Sequence, residues 1–87
     1  MILSLEQIRK SLEMLSRMEK FDSGWVGLSF ELSELDIDKL IVRLNDLKNR
    51  KIGHFHIRNE DFSADTGVAD IELSLSVDLE AGNMAVE

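Results

Sequence analysis

From Val68 to Leu79 the chain reads as one extended run, and from Ala69 onward it alternates strictly between apolar and polar positions. Ala69, Ile71, Leu73, Leu75, Val77 and Leu79 fall on one side of an extended backbone; Asp70, Glu72, Ser74, Ser76 and Asp78 fall on the other. That period of two predicts a long strand, central in a small sheet with one dry face and one wet face. A second alternation sets Val26, Leu28, Phe30 and Leu32 against Trp25, Gly27, Ser29 and Glu31. A third strand is expected over His54 to Arg58, H-F-H-I-R, with Phe55 and Ile57 turned inward.

Two segments carry the helical period instead. Leu5, Ile8, Leu12 and Leu15 form one stripe, widened by Met14 and Met18. Ser4 and Gln7 have the spacing of a capping box, so a helix is expected from about Leu5 to Glu19. Ile37, Leu40, Ile41, Leu44 and Leu47 form the arc of another helix, with Ser33 or Asp36 at its cap. Lys48, Arg50 and Lys51 complement the negative end of that helix, and Gly53 is placed to stop it. Phe21 to Gly24 is a turn signal, and Ala64-Asp65-Thr66-Gly67 suits a hairpin loop.

The order is therefore α-β-α-β-β, an α+β chain with a three-stranded antiparallel sheet. Placing the last strand between the other two gives spatial order 1-3-2 and a split β-α-β crossover. Both helices would then cover the dry face and leave the wet face open. Eighty-seven residues make a single domain over 1–87, with 80–87 expected to fray.

Charge sharpens this picture. The chain has net charge −7. Of its 17 acidic residues, 9 lie at or before Arg58 and 8 beyond it, whereas all 10 Lys and Arg residues lie at or before Arg58. The acidic C-terminal third would repel nucleic acid and attract a basic protein, although such surfaces commonly serve solubility alone. No apolar run approaches bilayer length and the start has no basic region ahead of a long apolar run, so neither membrane nor signal peptide is expected. The absence of cysteine fits a reducing compartment, and the cytoplasm is the expected location.

Candidate chemistry is sparse. There is no Gly-rich phosphate loop, no G-x-S-x-G, and no Cys or Tyr, so an enzyme is not expected. No cofactor is expected either. His54 and His56, two apart on a strand, point to one side as metal ligands sometimes do, with Asp70 and Glu72 across from them. No oriented second shell is evident for a metal there, and an ordinary cross-strand charge pair accounts for the same residues, so no metal is assigned. What remains is a flat, negative sheet face rimmed by an aromatic side chain. Trp25, Glu31, His54, His56, Arg58, Asp70, Glu72 and Asp78 are the expected partner-binding residues. The function expected is docking to a basic protein, with metal binding through His54 and His56, or a housekeeping homo-oligomer such as a homodimer, as alternatives.

One family shares this arrangement. A strand, the helix I-D-K-L-I-V-R-L-N-D-L-K, the segment Gly53-His54-Phe55-His56-Ile57, an acidic turn and a last strand resemble small immunity proteins of bacterial polymorphic toxin systems. The group it is most similar to is immunity protein family 32, over roughly Trp25 to Leu79. Arg58-Asn59-Glu60-Asp61-Phe62 stands where that group has an aromatic, Gly-rich turn. The resemblance implies a stoichiometric inhibitor that binds a toxin domain inside the producing cell.

Overall fold

The computed structural model describes residues 14–76 and 82–87. Over these the element order is β1 (Leu15–Lys20), β2 (Val26–Glu31), α1 (Glu34–Lys48), β3 (His54–Arg58) and β4 (Asp70–Ser74). The strands form two separate two-stranded antiparallel sheets, β1–β2 and β3–β4. This overturns the expected three-stranded sheet of order 1-3-2: β4 pairs with β3 but not with β2. The expected helix from Leu5 to Glu19 is corrected at its C-terminal end, because Leu15–Lys20 is a strand, and among the described residues there is one helix rather than two.

The physical reason lies in the turn after it. Gly24 has φ +92, a left-handed conformation that glycine takes without steric cost. The Gly24 amide donates to the Phe21 carbonyl at 3.0 Å, and the Phe21 amide donates to the Trp25 carbonyl at 2.9 Å. The chain thus reverses on itself, and Leu15–Lys20 meets Val26–Glu31 in register from Leu15↔Glu31 to Lys20↔Val26. The helical stripe loses its apolar members after Leu15 apart from Met18, so the strand partner wins over the local period. Residues 1–13, where most of the first expected helix falls, lie outside the described residues.

Helix α1 forms where its local signals place it. The Ser33 hydroxyl accepts from the Asp36 amide at 3.1 Å, and the Asp36 carboxylate accepts from the Ser33 amide at 3.3 Å. This is a capping box with Asp in the third position, and it satisfies two backbone donors reciprocally. At the other end the stop is Arg50, not Gly53. Arg50 has φ 59, its amide donates to the Leu47 carbonyl at 3.1 Å, and the Lys51 amide donates to the Asp46 carbonyl at 2.9 Å. That pair of bonds is a Schellman motif with arginine where glycine is usual.

In the second hairpin, register runs from His54↔Ser74 to Arg58↔Asp70. The strand expected over Val68 to Leu79 is shorter, Asp70–Ser74, and residues 77–81 lie outside the described residues. Residues 59–69 form the connection. The Asn59 amide donates to the Ala69 carbonyl at 2.9 Å and its side-chain amide donates to the Val68 carbonyl at 3.0 Å, which closes the base of the loop.

Helix α1 packs on β3, and there the interior is small. Among the described residues Leu47 and Phe55 are the two buried apolar side chains, at 7% and 9% exposure. Met18, Val26, Leu28 and Phe30, which share one side of the first hairpin, are exposed, as are Ile37, Ile41 and Leu44 on α1. The dry face expected beneath two helices is therefore uncovered at the first hairpin. The radius of gyration of 15.8 Å agrees, since about 12 Å would suit a close-packed chain of this length. Among the described residues no helix is long and apolar enough to cross a membrane.

Candidate functional site

Strand parity and register build one polar surface on the second hairpin. Phe55, Ile57, Ile71 and Leu73 occupy the inner side, so His54, His56 and Arg58 must share the outer side with Asp70, Glu72 and Ser74. Register sets His56 directly opposite Glu72 and Arg58 directly opposite Asp70. Cross-strand neighbours at such spacing lie within reach of each other's side chains.

His56 is the hub. Its Nδ1 lies 3.1 Å from both carboxylate oxygens of Asp70, the diagonal neighbour, and its Nε2 lies 3.8 Å from Glu72 Oε1. Arg58 Nε is 3.7 Å from Asp70 Oδ1, so Asp70 sits between two basic groups. His54 meets His56 edge-on, with ring centroids 5.2 Å apart and planes at 90°. His56 is half-buried, whereas His54, Arg58, Asp70 and Glu72 are exposed. Exposed pairs of this kind contribute about 1 kcal/mol or less, so the cluster does little to hold the hairpin together.

The structure thus assembles five of the eight residues expected to meet a partner: His54, His56, Arg58, Asp70 and Glu72. Trp25 and Glu31 belong to the other sheet, Trp25 in the β1–β2 turn and Glu31 at the end of β2. Asp78 lies outside the described residues. The single flat acidic plate expected from three adjacent strands is therefore corrected to a compact His–carboxylate cluster on one hairpin. The remaining two residues stand on the other hairpin, beside exposed apolar side chains.

Two features are sharper than alternation alone implies. One is the extent of exposed apolar surface: Trp25 is 79% exposed and Phe62, in the 59–69 connection, is 71% exposed. The other is an oriented carboxylate behind His56. Alternation revealed that Asp70 and His56 share a side, but a diagonal contact depends on side-chain direction, which alternation does not encode. An open groove of about 1000 Å³ runs between the first hairpin and the 59–69 connection, bordered by Met18, Phe30, Lys39, Phe62 and Ile71. It does not include the histidines, and its breadth leaves it accessible to water.

No protein-family model, no curated protein and no solved structure matches the chain.

Proposed function

We propose that this chain is a non-enzymatic protein-binding module that docks a basic partner, in the manner of an immunity protein neutralising a toxin domain. The observation that carries the reading is the exposed apolar surface of the first hairpin, with Trp25 at its turn. Apolar side chains at Met18, Val26, Leu28 and Phe30 are more than scattered surface residues, and such a patch marks a site that another chain covers. A Trp standing 79% free is the type of side chain that anchors an interface. Net charge −7 favours a basic partner and raises its rate of encounter.

The exposed cluster on the second hairpin supports binding over catalysis. Its carboxylates and imidazoles stand on an open strand surface, where neither water exclusion nor burial prepares them for acid–base work.

The test begins with capture from the source cell and identification by mass spectrometry, followed by reconstitution with the purified partner. The expected result is a stoichiometric complex with a basic protein, weakened at least tenfold by Trp25→Ala while the circular dichroism of the free chain is unchanged. A partner of acidic character, or binding indifferent to Trp25, contradicts the proposal. So does a tight homodimer in sedimentation that Trp25→Ala dissociates, because it assigns the same surface to a second copy of the chain.

A further inference from the structure

We infer that His54, His56 and Glu72 form a binding site for a divalent transition ion of the zinc class, with Asp70 as the residue that orients His56 toward it. One donor atom from each of the three lies within 4.8 Å of the other two. The backbone produces this convergence. His54 and His56 are two apart on β3, and β4 places Glu72 opposite His56. Two imidazoles and one carboxylate, with a remaining position for water, are the donor set of open zinc sites.

The second observation is independent of that donor set. A histidine that binds a metal through one nitrogen characteristically donates the other N–H to a carboxylate, which fixes its tautomer and ring direction. His56 is arranged this way. Nδ1 lies 3.1 Å from both Asp70 oxygens, and Nε2 is the nitrogen that faces Glu72 at 3.8 Å. Arg58 Nε lies 3.7 Å from Asp70 Oδ1, an oxygen that also faces His56 Nδ1. An ordinary charge pair needs no such division of roles between the two ring nitrogens.

The distances bound the rearrangement required. Metal–donor lengths of about 2.0–2.1 Å place tetrahedral donors roughly 3.4 Å apart. Donors now up to 4.8 Å apart must close by about 1.4 Å at most. His54 and Glu72 are exposed, so rotation of their side chains supplies that movement without disturbing β3 or β4. Imidazole donors favour zinc and copper over magnesium or calcium, which take oxygen ligands. The site shares Asp70 and Glu72 with the acidic surface offered to a basic partner, but its readouts need no partner, so either proposal can fail without the other.

The test is direct because the chain contains 2 histidines and no cysteine, so every imidazole belongs to the site. Zinc chloride is titrated into the 87-residue chain, followed by calorimetry and by NMR of the histidine side chains. Saturable binding at one ion per chain is expected, with both imidazoles shifting together. His54→Ala and His56→Ala should each weaken binding at least tenfold. Asp70→Asn should weaken it about 10- to 100-fold and alter the tautomer balance of His56 before any metal is added. That last readout would not move if Asp70 served only to pair with Arg58. Non-saturable binding, imidazole resonances unmoved by zinc, or equal shifts with magnesium would each overturn the assignment. Unchanged zinc affinity in Asp70→Asn would remove Asp70 from it.

Discussion

Arg50 is the sharpest test of how the helix is built. It holds φ 59 at the end of α1, in a conformation that costs a side-chain-bearing residue roughly 1–2 kcal/mol. Both hydrogen bonds of the motif come from backbone groups, those of Arg50 and Lys51, so glycine at position 50 keeps them. Arg50→Gly therefore relieves the strain, while the added freedom of glycine in the unfolded chain takes back about 0.5–1 kcal/mol. The lost cation matters little, since Lys48 and Lys51 remain beside the helix end. The balance is a gain of ~0.5 kcal/mol. An unfolding entropy of about 0.18 kcal/mol/K for a chain of this length turns that into a rise in Tm of ~3 °C. Arg50→Val provides the contrast, because a β-branched side chain at positive φ is a genuine outlier and should lie ~2 kcal/mol below the glycine variant. Thermal melts followed by circular dichroism measure both. A glycine variant less stable than the parent, or a valine variant equal to it, would refute the left-handed stop at Arg50.

The other stability predictions concern the cap and the small interior. Ser33→Ala removes the hydroxyl arm of the capping box and should cost ~1 kcal/mol in urea unfolding, with no change if Ser33 does not cap α1. Phe55→Ala empties one of the two buried positions and should cost about 3–5 kcal/mol, enough to leave so small a domain largely unfolded at 25 °C. Leu28→Ala, by contrast, truncates an exposed side chain and should change stability by less than ~0.5 kcal/mol in the free chain. A cost for Leu28→Ala as large as that for Phe55→Ala would show the first hairpin buried after all.

How far the chain could be read in advance depended on how local each signal was. Helix α1 was legible because Ser33, Asp36 and the Ile37-to-Leu47 arc act within one segment. The β3–β4 hairpin was legible because alternation in H-F-H-I-R and D-I-E-L-S fixes parity and the intervening turn brings the two together. Its polar side could accordingly be foreseen, including His56 beside Glu72. The stop at Arg50 was not, because an arginine carries no signal for positive φ and Gly53 was the conventional candidate. Leu15–Lys20 was misassigned because Leu15 completes a four-member helical stripe, whereas its strand identity comes from β2, beyond the turn. The three-stranded sheet failed for a related reason. Pairing β2 with β4 is a choice between distant segments, and alternation shows which face is apolar without saying which neighbour takes the edge.

The electrostatic part of the docking proposal, steering of a basic partner by acidic side chains, is tested most directly by association kinetics. Stopped-flow binding of the purified partner would be compared for the parent chain and for Asp70→Lys/Glu72→Lys, at low and at high ionic strength. Both side chains are exposed, so the variant should fold, and near-parent circular dichroism checks it. The association rate constant should fall at least tenfold at low salt, and the difference should narrow as salt screens the field. Equal rate constants for the two proteins at both ionic strengths would contradict steering of the partner by these carboxylates.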